Sequence, residues 1–433
     1  EDYLAINGNG LWVDIPSGNY SNVGGYVVEF SSGPSASYSD EWVGFVGAAG
    51  DDRVYAINRS SDGVLWGSGT TSGSIGANVS LGQEDYILVK LDAYGNPLLT
   101  QQNGSLHGGV DQSFASAIDA SGNVYVTGYG GQFPDLVHEG VIDAYIAKYT
   151  PTGQLSWIKS FGGVWADTGR AIAIGGNGNI YVTGSSDDSY TGHDSTMDPN
   201  SFLAIYSPQG EKIKYQTLGF PSGDLGYAID VANDGSVYIG GALSGAVAQV
   251  SAQGVDGYLA KYTSSGESVW VKLIGEQHRE EIHALTVDES GAVYVTGVTE
   301  GSLGGDNLGG YDGFVAKYLP SGERLWVSHF GSSGHDYVAS ITIGSNGLIY
   351  VAGNADGAFD KQTPLGNGDA YVVAFNASGQ QVGTKVFGSS EGDSANSIVR
   401  GPDGYLLVSG ATWGSFGGNQ NQGIIDGYVT QMK

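Results

Sequence analysis

DAYIAKYTPTGQLSW (143–157), followed after a short gap by DTGRAIAIGGNGNIYVTG (167–184), decides the fold, because recognisable copies of it return six more times along the chain. An acidic residue opens the second half of each copy, at Asp52, Asp111, Asp167, Asp224, Glu280, Asp336 and Asp393, with spacings of 59, 56, 57, 56, 56 and 57 residues. Eleven residues after each acid stands a glycine: Gly63, Gly122, Gly178, Gly235, Gly291, Gly347 and Gly404, always preceded by Asp, Ser or Asn. That pair reads as a two-residue hairpin turn, since such turns need positive φ. A short apolar run closing on a second glycine follows, as in VYVTG (124–128) and IYVTG (180–184). The reading is strand, hairpin, strand.

A variable loop then leads to a third strand, such as YIAKY (145–149), YLAKY (258–262) or FVAKY (314–318). After another glycine turn comes a fourth, often with Trp (Trp157, Trp270, Trp326) and ending in an apolar-Gly step such as Phe330-Gly331. Four short strands per unit and no helical periodicity describe an all-β fold, a β-propeller of four-stranded blades. Counting the irregular start as a unit, with strands at 2–7, 11–14, 26–30 and 42–46, gives eight blades in one domain over 1–433. Their approximate limits are 1–47, 51–104, 110–162, 166–219, 223–275, 279–331, 335–388 and 390–433, the last with only three strands. Seven blades is the alternative, should the first unit pack elsewhere. In the eight-blade reading, DGYVTQMK (426–433) leaves an unpaired edge, which a neighbouring copy or a larger parent protein would complete by strand addition.

These units resemble the bacterial β-propeller repeat family, whose pattern runs Asp-aromatic-apolar-Ala-Lys, Gly, Trp, Phe-Gly-Gly, Asp and Gly-Asn-Val-Tyr-Val-Thr-Gly. The resemblance covers nearly the whole chain. It implies a secreted or surface-exposed module and says little of activity.

Composition narrows the partners. Seventeen Lys and Arg against 45 Asp and Glu give a formal charge of −28, which repels nucleic acid and anionic membranes and attracts cations. There is no cysteine, hence no disulfide and no thiol chemistry. No apolar run approaches a membrane span and no signal peptide is visible. The first residue is Glu1, so the sequence reads as processed or cut from something longer. The Asn-x-Ser sequons are chance products of a Gly/Ser-rich chain.

In propellers the strand that opens a blade lines the central channel, which places the acid-led strands innermost. The fourth residue after each acid is small (Ala56, Ala115, Ala171, Ala228, Ala284, Ser340, Ser397), as crowding at an axis demands. The residue before it varies: Tyr55, Phe114, Arg170, Tyr227, His283, Ala339 and Asn396. A fixed frame with one variable inward position suits recognition, and aromatic plus hydrogen-bonding side chains suit a saccharide or small polar ligand. Tyr55, Phe114, Arg170, Tyr227, His283 and Asn396, with Trp165 on a neighbouring loop, are the candidate ligand residues; ordinary channel filling is the competing reading. The acids themselves form a structural ring, each accepting backbone hydrogen bonds from a loop, with a cation ring as the alternative.

Loop 187–198 gathers Asp187, Asp188, Asp194 and Asp198, an oxygen-rich set suited to calcium, against the plainer reading of a solvated acidic loop. HREEIH (278–283) cannot act as a helical zinc motif, because alternate strand residues face opposite sides. No nucleophile elbow or phosphate loop occurs, so no reaction is indicated. The functions rank as surface binding or adhesion module for a saccharide or surface protein, then self-assembling structural protein, then polysaccharide-active enzyme by fold analogy.

Overall fold

A computed structural model of the protein describes residues 3–6, 12–15, 40–105, 109–131, 133, 142–187, 199–218, 223–244, 246–247, 250–251, 254–275, 278–359, 362–401 and 404–432. Among them are seven four-stranded antiparallel sheets. Six blades run through the sheet in chain order from an acid-led inner strand, the first being Asp52–Arg59, Leu65–Thr71, Asp85–Leu91 and Pro97–Asn103. The later inner strands are Gln112–Ile118, Asp167–Ile174, Asp224–Val231, Glu280–Val287, Asp336–Ile343 and Asp393–Arg400. Each packs beside the next, and the last lies against Asp52–Arg59, which closes a ring.

The propeller therefore has seven blades, not eight. Asp40–Val46 is not the outer strand of a first blade: it pairs antiparallel with Asp426–Met432, from Val46 opposite Gly427 to Asp40 opposite Met432, and completes blade seven. The edge expected to stand open at the end of the chain is thus covered by the chain's own early strand, and the ground for completion by a second copy falls away. Tyr3–Ile6 and Trp12–Ile15 pair only with each other, and the strand expected at 26–30 lies outside the described residues. A strand paired across almost the whole sequence gives no local signal, so its unit was miscounted.

The hairpin turn also differs in detail. Ser60 and Val64 are the last bonded pair around the first turn, which leaves three residues between them, not two. The turn glycine has positive φ in all seven copies, from +77° at Gly347 to +90° at Gly63, the geometry of a three-residue loop ending in a left-handed residue.

Second and third strands are buried along nearly their whole length, while outer strands are buried mainly at their end. The core consequently lies between blades: Tyr125, Ile146 and Phe161 of blade two pack on Ile172, Val182 and Phe202 of blade three. Burial of such side chains contributes about 1.5–3 kcal/mol each. The repeat's Lys and Trp join the blades at the turn end. Lys148 lies over the Tyr125 ring at 5.1 Å and donates to the Pro208 oxygen of blade three at 3.0 Å, which the Trp157 indole also reaches at 3.4 Å. Lys261, Tyr238, Trp270 and Pro320 repeat the arrangement between blades four and five.

Candidate functional site

Every inner strand carries a β-bulge at the same place. Pairing with the second strand jumps from Val54 to Ala56, Ser113 to Ala115, Gly169 to Ala171, Gly226 to Ala228, Ile282 to Ala284, Val338 to Ser340 and Ala395 to Ser397. The residue skipped each time is the variable one: Tyr55, Phe114, Arg170, Tyr227, His283, Ala339 or Asn396. A bulge frees one residue from the ladder and re-aims its side chain. It also explains the glycine that ends VYVTG. A Cβ on Gly297 would lie 1.7 Å from the Glu281 oxygen, and one on Gly69, Gly128, Gly184 or Gly410 would lie 1.8 Å from the matching carbonyl of its own inner strand.

The bulged side chains meet in sequence around the channel. Asn396 donates to the Val54 oxygen at 3.3 Å, beside Tyr55. Tyr55 and Phe114 have ring centroids 5.5 Å apart, and Phe114 also packs on Tyr129 at 5.7 Å. The Arg170 guanidinium stands over Phe114 at 5.1 Å and over Tyr227 at 5.7 Å, a double cation–π contact. Tyr227 meets His283 edge-on at 5.3 Å. His283 then spans to blade six: one ring nitrogen is 2.8 Å from the Val338 oxygen and the other 2.9 Å from Glu281, which Arg279 holds at 2.5 Å. Both partners of His283 are acceptors, so both hydrogen bonds form together only when the ring is protonated. Blade six alone contributes no large side chain, because Ala339 is there and is exposed.

Burial raises the Tyr55 phenol and pushes Tyr227 up to about 12, with Glu281 adding to the latter and Arg170 and Arg279 opposing it. Both phenols stay protonated at neutral pH and can donate. Burial works against ionisation of Glu281 too, yet the hydrogen bond to His283 and the pair with Arg279 hold its carboxyl below the ordinary range.

The acids that open the inner strands turn away from the channel. All seven are at most 3% exposed and lie at blade junctions. Asp52 accepts from the Ala48 amide at 2.8 Å, Asp111 from Ser105 at 2.7 Å, Asp336 from Ser332 at 2.6 Å and Asp393 from Ser389 at 2.7 Å, while Glu280 accepts from the Thr299 hydroxyl at 2.8 Å. Sequence reasoning missed a second set at the start of the third strands. Asp85, Asp312, Asp369 and Asp426 accept from Leu81, Leu308, Leu365 and Gln422 at 2.6–2.9 Å. The two sets flank the glycine of the apolar-Gly step: a Cβ on Gly331 would lie 2.5 Å from Asp312 and 2.8 Å from Asp336. The recurring Asp of the third-strand motif was the signal for it.

Of the calcium candidates, Asp187 is described and its amide donates to the Ala166 oxygen at 2.9 Å; Asp188, Asp194 and Asp198 lie outside the described residues. Among the described residues no group of three or more His, Asp or Glu is placed to hold a metal ion. HREEIH is split as strand alternation requires, Glu280 going to the blade junction and Glu281 with His283 to the channel side. Trp165 does not join the ring of bulges; it stands 63% exposed on the loop entering blade three.

The two ends of the propeller differ. Of the fifteen large apolar side chains exposed among the described residues, nine sit where the inner strands begin, including Trp165, Trp413, Ile424 and Leu365, and the other six, Tyr94, Leu98, Leu155, Ile213, Val269 and Leu325, lie in or just after the turn into an outer strand. A depression of about 410 Å³ between blades six and seven opens on the first end, lined by Asn354, Asp356, Asn367, Glu391 and Trp413.

Residues 156–190 match the Beta-propeller repeat family. The chain is 26% identical over 383 residues to Regulatory protein FlaEY of Caulobacter vibrioides, a match covering 78% of this chain and 38% of that protein. It therefore spans about two fifths of the length of that curated relative. Among solved structures it is similar to Drosophila Plexin A in complex with Semaphorin 1b, with TM-score 0.49 and 8% identity over 90% of this chain and 87% of that one. It is also similar to YCF48 bound to D1 peptide, with TM-score 0.47 and 9% identity over 94% and 97%. No helix among the described residues is long and apolar enough to cross a membrane.

Proposed function

Because this chain carries the bacterial beta-propeller repeat, we propose that it is a binding module of the cell exterior, recognising a saccharide or similar polar ligand at the channel mouth where the inner strands begin. The observation that carries the reading is the bulge. Seven identical backbone devices free one residue each from the inner-strand ladder, and while the frame is constant the residue is Tyr, Phe, Arg, Tyr, His, Ala or Asn. A purely structural channel needs no such variety. The phenols of Tyr55 and Tyr227, protonated at neutral pH, can donate hydrogen bonds, and the small exposed Ala339 leaves room in the ring at blade six. Binding is the whole of the proposal, without a reaction. The placement outside the cytoplasm rests on the resemblance of the repeats.

The exposed apolar lip around the same end supports a second reading, in which a surface protein docks over the mouth. A glycan array and a pull-down of surface proteins, each with wild type and with Phe114→Ala/Tyr227→Ala, separate the two. Loss of glycan binding in a folded double variant is expected. Glycan binding that survives it, or an array with no hits beside a captured surface protein, would replace the first reading with the second.

A further inference from the structure

We infer that the ligand of the mouth carries a carboxylate, that of an acidic saccharide, and that Arg170 receives it. This deepens the reading above and rests on it. A chain of charge −28 should repel anions from its surface, yet the mouth gathers Arg53, Arg170 and Arg279 around Tyr55 and Tyr227. The acids near them are already engaged. Glu281 lies between Arg279 at 2.5 Å and His283 at 2.9 Å, and Glu84 takes the Gln112 side chain. Arg279 is thereby paired, while Arg53 and Arg170 have no ion-pair partner among the described residues, although Glu84 keeps its charge near them.

Arg170 differs from the other engaged cations. Lys90, Lys148 and Lys261 are each bonded to a carbonyl of the next blade, and Lys214 to Glu267. Among the described residues Arg170 has no ion-pair partner, and its Nε is buried without a hydrogen-bond acceptor. Its contacts are the rings of Phe114 and Tyr227, over which the guanidinium carbon lies at 5.1 and 5.7 Å. A guanidinium held against two rings and without an ion-pair partner can turn its terminal N–H pair to a planar carboxylate and meet it through two parallel hydrogen bonds. The phenols of Tyr55 and Tyr227, kept protonated by burial, supply donors for the hydroxyls and ring oxygen of a sugar beside that carboxylate.

The test is calorimetric titration of wild type, Arg170→Gln, Arg170→Lys and Tyr227→Ala with trigalacturonate, its methyl ester, a sulfated trisaccharide and a neutral trisaccharide at low salt. Wild type is expected to bind the acid at least about tenfold more tightly than the ester, the worth of one charge-assisted pair. Arg170→Gln should remove that preference while retaining the weaker binding of the ester, and Arg170→Lys, which keeps the charge without the fork, should restore part of it. Equal affinity for acid and ester, stronger binding of the sulfated sugar, or an unchanged preference in Arg170→Gln overturns the inference. If acid and neutral sugars bind alike and Tyr227→Ala abolishes both, the mouth remains the binding site and only the carboxylate is wrong. If no sugar binds wild type, both proposals fail.

Discussion

The Thr430 hydroxyl donates to the main-chain oxygen of Trp42 at 2.9 Å, joining residues 388 positions apart. This bond lies within the strand pair that closes the ring, where Asn419 also reaches the Val43 oxygen at 2.8 Å. Removing residues 40–46 should leave the 426–432 strand with a bare edge and lower Tm by at least about 10 °C, given about 2–4 °C per kcal/mol for large domains. Light scattering should show that the truncated protein self-associates while the intact one does not. A truncated protein that melts like the full chain would mean that the closure is dispensable.

The glycine opposite the bulge is required for space and not for φ. Gly297→Ala forces a methyl group onto the Glu281 carbonyl. The expected cost is above about 3 kcal/mol, whereas Gly347→Ala, at a turn with φ +77° and open space around it, should cost about 1 kcal/mol. Urea unfolding of the two variants measures the contrast. Equal losses would show that the bulge relaxes around a side chain.

Stability should rise, not fall, on mild acidification. Burial pushes the Asp224 carboxyl up to about 7 and those of Asp336 and Asp393 up to about 6, against a reference of 3.8. Between those limits the folded protein holds protons that the unfolded chain releases. The stabilisation is complete below about pH 4 and is lost as pH rises through about 6–7. Opposite Asp224 and Asp336 in the second strand stand Leu243 and Ala355, which offer no hydroxyl. Melting curves should therefore show Tm decreasing from about pH 5 to pH 8, with a shallower slope in Asp224→Asn. A Tm that climbs over this range, or an unaltered slope in the variant, contradicts the assignment.

What could be read from the sequence was whatever repeats locally. The acid-led strands, the glycine turns and the aromatic-apolar-Ala-Lys strands lie where the motifs placed them, because each is defined by alternation and turn chemistry within a few residues. Pairing across the chain was not legible: WVGFV (42–46) reads as an outer strand, which it is, but nothing near it says that its partner is Asp426–Met432. The bulge was hidden for a related reason. Variation at Tyr55, Phe114, Arg170, Tyr227 and His283 is visible in one dimension, but the slip that frees these residues exists only in the register between two strands. The paired carboxylates around Gly331 were overlooked because their two members belong to different blades.

The central claim, that the ligand occupies the mouth ringed by the bulges, is tested most directly at Ala339. It is exposed, it stands at the small position of the ring, and a larger side chain there meets solvent and not core. Ala339→Trp should fill the gap between His283 and Asn396, leave Tm within about 3 °C of wild type as expected for an exposed substitution, and reduce ligand affinity at least about tenfold in the same titration that measures wild type. Undiminished affinity in a folded Ala339→Trp protein would place the ligand elsewhere and contradict the account.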